Sequence, residues 1–490
     1  MISKIIKNSA IYSLKDVFEK AAYLFLIPVY TTYLTPEEFG IVALIMMLVS
    51  IVSVFLGIGQ PNALMRFYGD YSYEEKQEYL GSVLLYLLVV PFIICALLLP
   101  AGNYGFKVFF KNIAFYPYGF LAILTAFFVG IPDLLLALWR VEEKAKLYVL
   151  LSLALFLSKE ILALYLIIEA AWGAYGKLLG TAVAAGGFWL IVTIYLFKKI
   201  KRFKFSTTRL KQSLIFGVPL IPHILSAILL SVSDRYMLEY FTDLTQVGLY
   251  TLGYSLGSVS LFVIAGFGQA WGPFFYSMAD KKEAPLLFSR IATYFFIVVS
   301  LVTLILILFS KEIVTLLASS SYQEAHSVIP VVALGTFFNC LYNIPIYILY
   351  YHRNTVTIPY ITGTTAIANI LLNLWLIPLY GMIGAAWATA LSYCVMLVLV
   401  ILISDKLFHI PYEFRRILSF SSIVLAVYIV NSFFLNTLSN VSFTSVFIKI
   451  GSICAVIPLL WVTSFWTNSE CETMRMYYGK CTHFIKNKAM

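Results

Sequence analysis

Long apolar stretches recur along the chain, each near the roughly 20 residues a helix needs to cross the hydrocarbon of a bilayer. Polar residues collect in the short segments between them. Fourteen spans are predicted, at 9–34, 39–61, 80–100, 113–138, 147–169, 173–197, 214–240, 246–272, 286–309, 327–350, 357–378, 382–403, 416–435 and 443–466. None reads as the strict two-residue alternation of a membrane β-strand. The segments between spans are too short to hold a catalytic domain. The expected fold class is an all-α integral membrane protein with about 14 transmembrane helices.

Composition agrees with this pattern. Of 490 residues, 61% are hydrophobic and 12% charged, with a mean hydropathy of +0.89. A water-soluble globule of this length could not hide so much apolar surface. A cytosolic enzyme, a disordered chain and a DNA-binding domain are excluded, and no nucleic-acid partner is expected. The net charge of +10 matters through its placement. With the N-terminus inside, twenty-five Lys and Arg residues fall on the cytoplasmic side, against Lys107, Lys111, Lys177 and Lys311 opposite. This bias predicts an N-in, C-in topology. The run from Lys198 to Lys211 reads as a cytoplasmic anchor. The six cysteines are scattered and read as free thiols.

The chain repeats itself at an offset of about 208 residues. Gly40 matches Gly248, Gly57-Ile58-Gly59-Gln60 matches Gly266-Phe267-Gly268-Gln269, and Phe67-Tyr68 matches Phe275-Tyr276. Gly173, Gly176, Thr181 and Ala182 match Gly381, Gly384, Thr389 and Ala390. Each unit holds an even number of spans, so the halves are parallel, as in transporters that rock two bundles about a midplane site. The expected organisation is a six-helix bundle over 1–197, a basic cytoplasmic linker over 198–213, and a second six-helix bundle over 214–403. Two further helices over 404–466 and a cytoplasmic tail over 467–490 follow.

Charges inside spans are costly and usually face a polar interior. Lys15, Asp16, Glu19 and Lys20 share one sector of about 140° on the first helix, at 100° per residue. Tyr12, Tyr23, Tyr30 and Tyr33 fall in the same sector, so one charged, tyrosine-lined face is predicted. Lys159-Glu160 lies mid-span and cannot pair closely along its own helix. Asp133 follows the helix-breaking Pro132. His223 and Asp234-Arg235 lie on the span that opens the second repeat, and Arg235 sits near enough to the span's end to snorkel. Glu169 and Lys449 read as snorkelling residues near span ends. Lys15, Lys20, Lys159, Arg235, His223, Tyr23 and Tyr30 are the candidates for substrate binding. Asp16, Asp133, Glu160 and Asp234 are the candidates for ion or proton coupling. The sequence holds no phosphate-binding loop and no His-Glu-x-x-His pair, so no cofactor, resident metal or catalytic residue is expected, and the chain reads as a non-enzyme.

Several stretches resemble Wzx-type polysaccharide flippases. They include Lys7-Asn8-Ser9, Tyr33-Leu34-Thr35-Pro36-Glu37-Glu38-Phe39-Gly40, Pro219-Leu220-Ile221-Pro222-His223 and Ser233-Asp234-Arg235-Tyr236. Val247-Gly248-Leu249-Tyr250, Gln269-Ala270-Trp271-Gly272-Pro273-Phe274-Phe275 and Tyr380-Gly381 with Gly384-Ala385-Ala386 continue the series. The resemblance implies the multidrug/oligosaccharidyl-lipid/polysaccharide exporter superfamily, with two bundles in a V around a central cavity. It implies transport of an undecaprenyl-pyrophosphate-linked oligosaccharide, such as an O-antigen repeat unit, across a bacterial inner membrane by alternating access. Membrane lipid and polysaccharide assembly proteins are the implied partners. Fourteen helices are shared with the lipid II flippase branch, which places arginines in its first helix where this chain has Lys15 and Lys20. The competing readings are a cation-coupled multidrug antiporter of the same superfamily and a membrane-embedded polysaccharide polymerase.

Overall fold

The computed structural model describes residues 2–201, 203–354, 356–435, 443–462, 465–466 and 470; at 2–14, 16, 101, 103, 104, 108, 223, 227, 230, 263–265, 269, 434, 435 and 462 the description is of the backbone. Among these residues the chain is helical throughout. The helices are α1 Ile2–Tyr33, α2 Pro36–Gly57, α3 Gln60–Phe67, α4 Tyr73–Phe109, α5 Phe120–Val141, α6 Ala145–Ile168, α7 Gly173–Lys199, α8 Thr207–Gly217 and α9 Leu220–Phe241. They continue as α10 Leu244–Gly257, α11 Leu261–Met278, α12 Ala284–Leu308, α13 Ser310–Leu317, α14 Val328–Tyr342, α15 Ile346–Tyr351, α16 Thr357–Asp405, α17 Phe414–Leu435 and α18 Phe443–Val462. Ten helical stretches, one of them running over 320–351 through α14 and α15, are long and apolar enough to cross a membrane, and residues 207–226 and 231–241 reach that length together across a bend of 57°.

The spans are less uniform than the hydropathy pattern predicts. The span at 246–272 is two helices, α10 and α11, joined by a single tight turn at 258–260. The element over 357–405 breaks at Gly381, whose φ of 55° and ψ of −132° are not helical, so the predicted spans 357–378 and 382–403 stand as two helices on either side of that residue. Hydropathy reports apolar length and is blind to a break that costs no polar exposure.

Local signals fix the helix starts. Thr35 caps α2: its hydroxyl accepts the Glu38 N–H at 3.2 Å, and the Glu38 carboxylate accepts the Thr35 N–H at 2.9 Å. Pro36 follows at the first helical position, where its missing N–H costs nothing. In the second repeat Asp243 takes the part of Thr35, accepting the Gln246 N–H at 2.8 Å.

The duplication is visible in contacts as well as in letters. Glu38 Oε1 accepts the Ala174 N–H at 3.3 Å, and Gln246 Oε1 accepts the Met382 N–H at 3.1 Å. Both pairs are related by 208 residues. The residues before these N–H groups, Gly173 and Gly381, have φ of 51° and 55°, left-handed values that exclude a side chain at low cost. In each bundle one side-chain oxygen therefore ties the second helix to the start of the sixth.

The two bundles meet where α2 crosses α10. Gly40 and Gly248 face each other reciprocally: a Cβ on either would stand 3.1 Å from the other's backbone nitrogen. The axis relating the repeats passes between them. Lipid gives helices no hydrophobic reason to associate, so such close backbone packing is what holds them. Leu44, Ile45, Ala122, Val247, Tyr250 and Val328 are buried around this crossing.

The linker is tied to the first bundle by ion pairs. Arg209 reaches Glu75 at 3.0 Å and Glu78 at 3.5 Å, and Ser213 donates to Gln60 at 2.5 Å. In the loop between α5 and α6, Glu142 accepts from Lys144 at 2.7 Å and also from Lys199. Burial pushes the Glu142 pKa up, but the two lysine contacts outweigh it and hold the carboxyl below its ordinary value. A depressed carboxyl stabilises the fold above its unfolded pKa and loses that contribution as pH falls through the folded one. Acidification below about pH 4 is therefore expected to loosen this junction, and Glu142→Gln to remove that part of the acid sensitivity, measured by thermal unfolding across pH.

Candidate functional site

The charged face of α1 borders the space between the bundles. Lys15 Nζ lies 2.9 Å from Glu19 Oε2, one helical turn on. Lys20 Nζ sits 5.8 Å from the ring centroid of Phe262 on α11, so this side chain reaches from one bundle to the other. Between them lies a cavity of about 330 Å³ whose walls include Glu19, Lys20, Tyr23, Phe156, Ser255 and Phe262. Asp16 and His223 lie outside the described side chains.

Lys159 and Glu160 turn to different partners, as their angular separation requires. Glu160 accepts from Lys177 Nζ at 2.7 Å and from the Tyr30 hydroxyl. Lys177 also donates to Tyr30 at 2.7 Å. Both ends of this pair are well shielded, and the triad joins α1, α6 and α7. Lys159 is half-buried one turn along α6 from Phe156, within electrostatic reach of Asp133, Glu160 and Glu19. Asp133 on α5 is exposed, within reach of Lys159 and Lys15.

The second bundle contributes a separate cluster. Asp234 is buried and accepts from the Tyr250 hydroxyl. Arg235 donates to the Ser231 carbonyl at 2.9 Å and lies 3.3 Å from Asp234. Its guanidinium stands 4.9 Å from the Tyr254 ring centroid and 5.6 Å from that of Tyr250, a cation–π arrangement on two rings. Arg235 therefore does not snorkel; four groups of its own bundle fix it. Beside it Ser233 donates to Asn369, which also accepts from Asn373 at 3.0 Å. Tyr23 of α1 lies within electrostatic reach of both Glu160 and Arg235 and connects the two clusters.

Two lysines are corrected by the structure. Lys177, expected on the outer surface, is buried and carries the pair with Glu160. Its inward position was legible: at 100° per residue it lies within about 60° of Gly173, Gly180 and Ala184, the small-residue stripe along which α7 packs. Lys449, expected to snorkel, is buried against Glu312 of α13. No local signal predicts that contact, because the partners are 137 residues apart.

Counted over described side chains, the cavity and the two clusters beside it hold the cations Lys15, Lys20, Lys159, Lys177 and Arg235 and the carboxylates Glu19, Asp133, Glu160 and Asp234. Most of the charge is neutralised in place. Among the described residues, Lys20 and Lys159 alone of these cations have no carboxylate within 4 Å. Lys20 lines the cavity beside Tyr23, Ser255 and Ser258, and Lys159 stands one turn along α6 from the wall residue Phe156.

Comparison with known proteins places this architecture. The chain is 21% identical over 397 residues to a protein of the Lsg locus of Haemophilus influenzae, covering 78% of this chain and 95% of that one. It is 23% identical over 430 residues to a membrane protein of Methanocaldococcus jannaschii, covering 81% and 83%. Its fold is similar to that of the lipid II flippase MurJ in an inward closed conformation, with a TM-score of 0.69 and 16% identity over 92% of this chain and 97% of that one. It is similar also to an inward-facing multidrug resistance MATE family transporter of the MOP superfamily, with a TM-score of 0.61 and 16% identity over 79% and 94%. Residues 5–279 match the family described as polysaccharide biosynthesis protein, and with more than half of its length so matched the chain belongs to that family.

Proposed function

We propose that this protein is a flippase that carries a polyprenyl-pyrophosphate-linked oligosaccharide across the bacterial inner membrane by alternating access, with both termini in the cytoplasm. The observation that carries the reading is the pair Lys20, on the cavity wall, and Lys159, one turn along α6 from the wall residue Phe156, neither with a carboxylate within 4 Å among the described residues. A pyrophosphate needs such a site, where low-dielectric walls strengthen Coulomb attraction beyond its value in water. Sugars would lie against Tyr23, Ser255 and Ser258 in the cavity while the polyprenyl chain stays in lipid. Lys15, paired to Glu19, and Arg235, paired to Asp234, would be recruited as those pairs exchange partners.

Coupling to an ion or proton gradient is assigned to the carboxylates that bridge helices. Glu160 ties α6 to α7 and α1, and Asp234 ties α9 to α10, so a change of charge on either alters how its bundle packs. Asp133, facing Lys159, would sense the arrival of the anionic headgroup. Asp16 and His223 are kept as candidates on sequence grounds.

The test is flipping of undecaprenyl-pyrophosphate-linked oligosaccharide in proteoliposomes. A hydrogen bond to a charged group is worth about 1.5–3 kcal/mol, so Lys20→Gln with Lys159→Gln should lower transport by about a hundredfold or more at unchanged folded yield. Wild-type transport by that double variant would remove the cationic-site reading. Transport of hydrophobic organic cations by the wild type, with none of the lipid-linked sugar, would favour the antiporter.

A further inference from the structure

At the end of the molecule where α1 finishes and α2 begins, each bundle grips the first helix of the other. Thr31, on the last turn of α1, accepts the Ser319 N–H at 3.2 Å through its hydroxyl, and its carbonyl accepts the Ser319 hydroxyl at 2.6 Å. Tyr322 adds a bond to the Leu34 carbonyl at 3.0 Å. Ser319 and Tyr322 belong to the segment that leads into α14 of the second bundle. On the other side of the axis, Glu239 on the last turn of α9 accepts the N–H groups of Lys111 and Asn112, each at 2.9 Å. Lys111 and Asn112 lie between α4 and α5 of the first bundle. Lys111 Nζ also donates to the Tyr240 carbonyl at 3.1 Å and stands 3.6 Å from the Tyr240 ring.

These contacts are repeat-related. Thr31 and Glu239 are 208 apart, as are Lys111 and Ser319. The same swap therefore occurs twice across the axis that runs between Gly40 and Gly248. The two copies differ in chemistry. The Thr31 contact is neutral, and both of its polar groups are used. The Glu239 contact rests on a fully buried carboxylate with one oxygen bonded, while Oε2 has no hydrogen-bond partner among the described residues. A buried charge left half satisfied carries a desolvation cost that parting the contact relieves.

We infer that these two exchanged contacts form a double clasp that closes the transport path at this end, and that Glu239 is the half that yields first when the bundles part. This rests on the alternating-access reading, under which this end faces outward. The bundles cannot part at this end without breaking both halves, because each half joins residues of different bundles. The clasp touches neither Lys20 nor Lys159. It sets the population of closed molecules without contacting the substrate, so Glu239 is a positioning residue.

The experiment reads opening rather than transport. In a background lacking the six native cysteines, Ser255→Cys puts a thiol on the cavity wall. A membrane-impermeant maleimide is applied from the clasp side of reconstituted protein, and modification at position 255 is read by mass spectrometry. Oxidising Thr31→Cys with Ser319→Cys to a disulfide is expected to cut that labelling by about tenfold, with recovery on reduction. Glu239→Ala is expected to raise it by about tenfold, while Glu239→Gln, whose amide oxygen still accepts both N–H groups without the buried charge, is expected to label more slowly than the wild type. Labelling that ignores both the disulfide and Glu239→Ala would overturn the clasp. Labelling that obeys them in a protein that moves no lipid-linked sugar would uphold the clasp and overturn the flippase reading.

Discussion

Lys177→Met is expected to be the most damaging single substitution in the first bundle, lowering both transport and the unfolding temperature. The change leaves the shielded Glu160 carboxylate with the Tyr30 hydroxyl as its remaining donor among the described residues. Removing one partner of a buried ion pair typically costs about 3–5 kcal/mol, because the surviving charge has lost its compensation. The pair itself need not be strongly stabilising, since desolvating two ions consumes much of their attraction. The decisive variant is therefore the double one. Lys177→Met with Glu160→Gln removes both charges, and the amide oxygen can still accept from Tyr30. It should recover most of the lost stability while transport stays low, if Glu160 serves coupling as proposed. A double-mutant cycle on thermal unfolding and proteoliposome flipping separates the two effects. Equal stability of Lys177→Met and the wild type would mean that the pair is solvated and would discard the argument. Wild-type transport by the double variant would remove Glu160 from the coupling scheme and leave it a packing role.

Much of this architecture was legible because membrane insertion makes composition informative. Apolar length gave the helices, and repeated glycines gave the duplication. The 208-residue offset found in letters returns as paired contacts: Glu38 with Gln246, Gly173 with Gly381 and Gly40 with Gly248. What the sequence could not supply was the partner of each charge. Angular position on α1 correctly groups Lys15 with Glu19, a pairing within one helix. The partners of Glu160, Lys449 and Glu239 lie on other elements, 17, 137 and 128 residues away. No periodicity along a single helix encodes such distances. The charged face predicted on α1 accordingly belongs to a nearly balanced interior, in which Lys20 and Lys159 are the cations of that region with no carboxylate within 4 Å among the described residues. Balance lowers the cost of keeping the cleft in a bilayer without substrate and concentrates the binding power at two positions.

Gly248→Ala should shift the molecule away from its sealed state, and here two principles predict opposite signs. Helix propensity alone favours alanine over glycine in a helix interior by about 0.8–1 kcal/mol, so on that ground α10 would gain. Packing says otherwise. A Cβ at 248 would stand 1.8 Å from the Pro36 carbonyl oxygen, and one at 40 would stand 2.2 Å from the Leu244 carbonyl oxygen. Both obstacles are backbone, which cannot rotate aside, so α2 and α10 must separate by about 1 Å or more. Overpacking of this kind costs about 1–3 kcal/mol. The cost falls only on the conformation in which the crossing is closed, and a bias of that size moves a two-state equilibrium about 5–150-fold. Gly40→Ala should act in the same direction. Because either methyl alone already opens the crossing, the double variant should shift the equilibrium by clearly less than the sum of the single effects. Maleimide labelling of Ser255→Cys from the clasp side measures the shift, and thermal unfolding measures the net cost. Single alanine variants that label like the wild type and unfold at a higher temperature would show that propensity wins and that the crossing is not part of the seal.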